Sequence, residues 1–168
     1  MKRIALAVLL GSIVVSCSSE PTSSTPDVST MEASKKGELT VQAIRLACGD
    51  TCSVTPMYVR DQLLDIESLD HAEPIPVEMK EAIADAFPDA TFVDFDEVEA
   101  IIAEVDAGEA VLVNLAPVTE LAPGVAGVDI AVISTSVHGQ TIQFTWDGSS
   151  WVVTESGDTG VTVTSFVS

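Results

Sequence analysis

The segment IQFTWDGSSWVV, residues 142–153, decides the fold of the C-terminal half of this chain. Apolar side chains alternate with polar ones on both sides of the connection DGSS, residues 147–150. Alternation is typical of half-buried strands, and an Asp-Gly step between two such runs predicts a hairpin. The hairpin would place Trp146 opposite Trp151, where the two rings form a stabilising cross-strand pair.

The same alternation recurs on either side of this hairpin and predicts further strands. Shorter apolar runs at residues 57–59 and 91–95 predict two short strands earlier in the chain. The alternating positions are Val111, Val113 and Leu115, then Val128, Ile130 and Val132, and finally Val161 and Val163 close to the end.

Two helices are predicted between the early strands. Residues 76–87 begin with Pro76, which suits a first helical turn, and carry apolar residues at helical spacing. Residues 95–107 follow Asp94 and Glu97, which fit a capping box. Residues 38–47 fit either a helix or a strand. Strands gathered in the C-terminal half predict an α+β fold, with one or two N-terminal helices on one face of a mainly antiparallel sheet and the other face partly wet.

The first seventeen residues are predicted to form an export signal. Two basic residues precede an apolar run of about a dozen residues, which is shorter than the roughly 20 that span a bilayer. The run ends in Val14-Val15-Ser16-Cys17, which resembles the lipobox of bacterial lipoproteins with Val14 in place of the usual leucine. The resemblance implies cleavage before Cys17 and acyl chains, palmitate among them, on that cysteine. The alternative is an ordinary secretory signal with a chance cysteine.

The remaining chain is predicted to hold a tether and one domain. A Ser/Thr/Pro-rich stretch follows Cys17 and lacks the apolar residues needed to pack. We therefore expect a signal peptide at 1–16, a lipidated tether at 17–37 and a single domain at 38–168. The protein would be exported and anchored by lipid to the cell membrane or outer membrane, with its domain outside the cytoplasm.

The chain is strongly acidic. It holds 26 acidic and seven basic residues, a formal charge of −19, and losing residues 1–16 would remove two basic residues and leave −21. Such a surface repels nucleic acid and anionic headgroups. We expect no nucleic-acid partner and no cofactor; the predicted partners are the membrane, through the lipid on Cys17, and an envelope protein or a small extracellular ligand.

Two cysteines remain once Cys17 carries lipid. Cys48 and Cys52 are four residues apart, and in an exported protein such a pair most often forms a disulfide. Free thiols are one alternative. A redox or metal site is another, although the spacing has three intervening residues and two histidines are too few to complete a zinc site.

Two weaker binding sites are indicated by residue type. Tyr58, Trp146 and Trp151 would stack on a ligand if they shared an open surface, although aromatic residues on sheets more often pack in the core. Calcium is bound by oxygen ligands, and an acidic group provides them at Asp94, Asp96, Glu97 and Glu99. The alternative for the acidic group is the start of a helix, where carboxylates favour the positive end of the dipole.

No catalytic residue is assigned from the sequence. The nucleophile motif Gly-X-Ser-X-Gly is absent from the chain. Ser134 and Ser136 are close to His138 in sequence but need not touch it, and His138 is expected to be an exposed turn residue. Carboxylates between Asp61 and Glu73 would suit a hydrolase only if two of them converge.

A broader resemblance covers most of the predicted domain. The strand Tyr58-Val59-Arg60-Asp61, the helix opening Ile75-Pro76 and the hairpin of residues 144–153 resemble uncharacterised exported proteins of high-GC Gram-positive bacteria. The resemblance implies export and no particular activity. The sequence therefore predicts a lipoprotein with a small binding or scaffolding domain; the alternatives are a small carboxylate-based hydrolase and a purely structural envelope protein.

Overall fold

The computed structural model describes residues 25–49, 56–64 and 73–154. Within these ranges the chain forms three α-helices and one eight-stranded sheet, which is the predicted α+β class. A 3-10 turn over Val28–Thr30 precedes the helices α1 (Ala33–Cys48), α2 (Val77–Ala86) and α3 (Phe95–Asp106). The strands are β1 (Met57–Leu63), β2 (Glu73–Pro74), β3 (Ala90–Val93), β4 (Val111–Leu115), β5 (Thr119–Ala122), β6 (Val125–Ile133), β7 (Val137–Trp146) and β8 (Trp151–Val153).

The sheet is mostly antiparallel, as predicted, but it has a parallel part that the sequence did not indicate. The strand order is β2-β1-β4-β6-β7-β8, with β3 beside β1 and β5 beside β6. β1 pairs in parallel with both β3 and β4, and the other pairings are antiparallel. Parallel neighbours need long crossover connections. α2 lies in the connection from β1 to β3, and α2, β3 and α3 all lie in the connection from β1 to β4.

The main core lies between the sheet and the first two helices. α1 and α2 pack against each other and bury Ile44 and Ile83 completely. The sheet contributes Val128, Ile130 and Phe144, which are also fully enclosed. Burial of this kind is the dominant favourable contribution to folding.

α3 covers part of the opposite face. A smaller cluster there joins Val105 of the helix to Leu112 of β4. The expectation that the helices share one face is therefore wrong for α3, because its apolar stripe needs a sheet surface of its own. On the same outer face, Asp129, Thr141 and Gln143 are only half-buried, so this part is partly wet as predicted.

The packed chain begins earlier than the predicted boundary at residue 38. α1 starts at Ala33, so the helical interpretation of residues 38–47 is confirmed and the helix extends into the predicted tether of residues 17–37. Val28 is only 1% exposed and belongs to the main core. Val28 and Met31, two apolar residues near the end of the Ser/Thr-rich stretch, pack against the main core. Cys17 and the earlier part of the tether lie outside the described residues.

The local signals for helix ends and for the hairpin are confirmed. Asp94 and Glu97 form the capping box at the start of α3. Trp146 pairs with Trp151 across β7 and β8, with ring centroids 5.8 Å apart in an edge-to-face arrangement. The predicted strand at Val161 and Val163 lies outside the described residues.

Candidate functional site

A pocket of about 360 Å³ opens where the C-terminal end of α1 meets the hairpin between β6 and β7. Its floor is formed by small aliphatic side chains, and one wall carries hydroxyl groups and an imidazole. The lining residues are Ala47, Gly108, Ala110, Val111, Val132, Ser134, Thr135, Ser136 and His138.

The polar wall is built by the tight connection between β6 and β7. Ile133 pairs with Val137, so only three residues bridge the two strands. The Ser134 amide donates to the Ser136 carbonyl over 2.9 Å, which fixes the turn. Ser134, Thr135 and Ser136 are thereby grouped along the pocket, where their hydroxyls can donate or accept hydrogen bonds.

Gly108 borders the pocket directly beside Thr135. Its φ is +73°, a conformation that glycine adopts without strain and that follows the end of α3. A Cβ at this position would lie 2.9 Å from the Thr135 Cγ2 atom. A larger residue would therefore push the turn at Thr135 away and change the shape of the pocket.

The structure brings Ser136 and His138 together. The Ser136 Oγ atom lies 2.7 Å from the His138 Nε2 atom, and both residues are exposed. The exposure of His138 is confirmed, but the residue lies at the start of β7 and not in the turn. The sequence spacing of two residues could not establish this contact, because it depends on where the turn ends. A hydrogen-bonded serine–histidine pair can bind polar groups and can also activate a hydroxyl.

The three aromatic residues considered for ligand stacking do not share a surface. Tyr58 packs with the α3 cluster, and its hydroxyl donates to the Glu104 carboxylate over 3.2 Å. Trp151 is 6% exposed and belongs to the main core, and Trp146 packs against the same core. Both tryptophans therefore lie on the face of the sheet opposite to Tyr58. These rings therefore serve the two cores in separate places.

The acidic group at the start of α3 is explained by helix capping. Asp94 and Glu97 bond to each other's backbone amides, which leaves Asp96 in the first turn and Glu99 in the second as exposed carboxylates. In the described part of the chain no group of three or more histidine, cysteine or carboxylate side chains is arranged to hold a metal ion.

The other residues singled out from the sequence lie away from the pocket floor or beyond the described ranges. Cys48 is buried and its sulfur is disulfide-bonded. Cys52 lies outside the described residues, so the Cys48–Cys52 pairing stays a prediction. Asp61 forms an ion pair with Lys80, and Glu73 is exposed on β2. The residues between 65 and 72 are not described, so convergence of two carboxylates in this segment stays untested.

Comparisons with known proteins provide no family and no relative, so the fold and the pocket are the observations from which a function is proposed. A scan against protein-family models found no match, and searches of curated proteins and of solved structures also found none. Within residues 25–49, 56–64 and 73–154, no helix is long and apolar enough to cross a membrane.

Proposed function

We propose that this protein is a lipoprotein, exported and anchored by acyl chains on Cys17, whose domain binds a small ligand at the cell envelope. The anchoring part rests on the leader and its lipobox-like end, Val14-Val15-Ser16-Cys17. The binding part rests on one observation, the pocket of about 360 Å³ with its hydroxyl-bearing wall.

The pocket chemistry favours a small ligand without negative charge. Hydroxyl and imidazole groups give hydrogen bonds in both directions, and the aliphatic floor offers apolar contact. Recognition sites commonly combine an apolar lining with a few directed polar groups. A formal charge near −20 over the whole domain repels anions, whereas it does not oppose neutral polyols, sugars or short amides.

Anchoring is tested by following the full-length protein in a lipoprotein-processing bacterial host. The wild-type chain should take up labelled palmitate and sediment with membranes, and Cys17→Ala should do neither. Ser18→Ala, at the neighbouring position, is the matched control and should behave like the wild type. A Cys17→Ala protein that stays membrane-bound at the processed size would contradict the anchoring proposal.

Binding is tested by nuclear magnetic resonance titration of the protein with N-acetylglucosamine and with glycerol. We expect amide shifts confined to residues 108–111 and 134–138, and their loss in Ser136→Ala and His138→Ala. Ser29→Ala, an exposed serine whose side chain lies away from the pocket, should leave the shifts unchanged. If neither probe shifts these amides, the pocket proposal fails and the structural role becomes the better account.

A second candidate function, hydrolysis, is favoured by the Ser136–His138 hydrogen bond. Ser136 Oγ would attack an ester carbonyl while His138 takes the hydroxyl proton and passes it to the departing alcohol or phenol, and water would then hydrolyse the acyl-serine and regenerate Ser136. Turnover of p-nitrophenyl acetate that disappears in Ser136→Ala would support this candidate. Turnover that survives in Ser136→Ala would exclude the pair as the catalytic group.

A further inference from the structure

Beneath α3, the described residues include two buried polar side chains that each have one polar atom without a hydrogen-bond partner. Arg60 is 8% exposed and Asn114 is 6% exposed. The Arg60 Nε and Asn114 Oδ1 atoms are enclosed and make no hydrogen bond. Each buried polar group without a partner costs free energy, so the pair needs an explanation.

The two side chains belong to the same part of the sheet. Val59 of β1 pairs with Val113 of β4, and Arg60 and Asn114 follow on these strands, where the register of β1 shifts between Val59 and Leu63. Both lie on the face that carries α3, because the residues two positions earlier, Tyr58 and Leu112, belong to the α3 cluster. A donor without an acceptor and an acceptor without a donor are therefore presented on one face by adjacent strands.

The charge of Arg60 is not balanced by the described residues. Their ion pairs join Lys35 to Glu38 and Lys80 to Asp61, and neither pair involves Arg60. Burial lowers the pKa of Arg60, the direction for a cation taken out of water without compensation. A buried guanidinium is normally paired or fully hydrogen-bonded. Within residues 25–49, 56–64 and 73–154, no carboxylate forms an ion pair with Arg60, although the chain is rich in acidic residues.

An exposed aromatic ring completes the surroundings of Arg60. The guanidinium carbon lies 4.7 Å from the centroid of the Phe95 ring at the start of α3. Phe95 is 63% exposed, so one side of the ring is open to an apolar group. Burying that area would add to the affinity for a ligand that brings an apolar side chain.

We propose that Arg60, Asn114 and Phe95 bind the free C-terminal end of a peptide or N-acyl amino acid. The carboxylate would accept hydrogen bonds from Arg60, whose fork geometry suits it. The adjacent amide N–H would donate to Asn114 Oδ1, and the terminal side chain would lie on Phe95. Arg60 is the one arginine at this site, and the surrounding domain is acidic. A carboxylate with one negative charge is therefore repelled less than a phosphate dianion. This site shares no residue with the lining of the Ser136–His138 pocket.

The test uses the full chain and two ligands that differ only in charge. N-acetyl-L-alanine carries the carboxylate, and N-acetyl-L-alaninamide replaces it with a neutral group. At constant ionic strength, the acid should raise the melting temperature of the wild type and bind at least about tenfold more tightly than the amide, because only the acid pairs with the guanidinium. Inorganic phosphate serves as the competing oxyanion.

Two arginines give a matched pair of variants. Arg60→Met should abolish the response to the acid. Without ligand it should melt at or above the wild-type temperature, because an uncompensated buried charge has been removed. Arg45→Met is the control, since Arg45 also lies over a phenylalanine ring, Phe87 at 5.8 Å, but is exposed. It should keep the full response. Arg60→Lys keeps the charge and should bind about tenfold more weakly.

Several results would overturn the proposal. They are an equal response to the acid and the amide, a response that survives in Arg60→Met, and a larger response to phosphate than to the acid. A ligand-free Arg60→Met protein that melts far below the wild type, or does not fold, would show that a carboxylate of the chain itself pairs with Arg60. Variants at Ser136 and His138 should leave the response unchanged, so failure here is separate from failure of the pocket.

Discussion

The two faces of the sheet are packed in different ways. The face beneath α1 and α2 is an apolar core in which Val128, Ile130 and Phe144 are completely buried. The face beneath α3 has a smaller apolar cluster and encloses Arg60 and Asn114 with unpartnered polar atoms. The difference indicates that stability is concentrated on the first face. Enclosed polar atoms without a hydrogen-bond partner occur on both faces, at Arg60 and Asn114 beneath α3 and at Trp146 beside the main core.

The largest effect expected from this comparison is at Phe144. Replacing this fully buried ring by alanine should lower the free energy of unfolding by about 3–5 kcal/mol, because transfer and cavity costs add. Phe95→Ala is the matched change on the α3 face. It should cost less than about 1 kcal/mol, since the ring is 63% exposed and loses mainly its contact with Arg60.

Urea unfolding of the two phenylalanine variants measures both quantities on the same scale. Equal losses would mean that the α3 face contributes as much stability as the main core. The proposed division between the two faces would then be wrong.

A smaller loss is expected at Gly37, where α1 approaches α2. A Cβ at this position would lie 3.0 Å from the Ala82 Cβ atom and 3.2 Å from the Met79 Cα atom. Gly37→Ala gains about 1 kcal/mol in helix propensity, but forcing the helices apart costs about 1–3 kcal/mol. We expect a net loss of about 1 kcal/mol in thermal or urea unfolding.

Ser34→Ala is the control for helix propensity, because Ser34 is exposed in the same helix. It should gain a few tenths of a kcal/mol, roughly the difference in propensity. If Gly37→Ala is as stabilising as Ser34→Ala, the two helices are not closely packed at this point.

The edge of the main core provides a further test at the tryptophan pair. A double-mutant cycle with Trp146→Leu and Trp151→Leu should give a coupling energy of about 0.5–1.5 kcal/mol, the usual range for aromatic pairs in contact. A coupling near zero would mean that the two rings contribute only through burial.

The parts of the fold that the sequence predicted depend on neighbours along the chain. The hairpin at residues 147–150 and the capping box of Asp94 and Glu97 are set by residues a few positions apart. The parallel pairing of β1 with β3 and β4 joins segments more than thirty residues apart, as for Met57 with Ala90. No local pattern specifies such a pairing. β2 and β5 are also too short for their alternation to be distinguished.

The candidate site was predictable only in its residue types. Ser136 and His138 were visible as close neighbours in sequence, but their contact depends on a three-residue turn whose limits the pattern did not define. Arg60 stood in a predicted strand motif, but its burial depends on α3 crossing the outer face of the sheet. Side-chain environments created by such crossovers are tertiary properties, and local propensity does not determine them.

The smallest expected effect lies in the β7–β8 turn, away from both packed faces. The Asp147 carboxylate accepts hydrogen bonds from the Ser150 amide at 2.8 Å and the Ser149 amide at 2.9 Å. These bonds lower the pKa of Asp147 from 3.8 to about 2. Because the folded pKa is below the unfolded one, the ionised group stabilises the fold above about pH 4, and this contribution is lost as the pH falls toward 2.

Asp147→Asn keeps an accepting oxygen but cannot ionise. The difference in melting temperature between the wild type and this variant should therefore narrow as the pH falls from 4 to 2. Asp89→Asn is the control, because Asp89 is exposed in another turn and its side chain makes no hydrogen bond among the described residues. A difference for Asp147→Asn that is constant across this range would mean that the turn bonds do not distinguish the carboxylate from the amide. The hairpin would then be held by its strand pairing and by Trp146 and Trp151, as an extension of the main core.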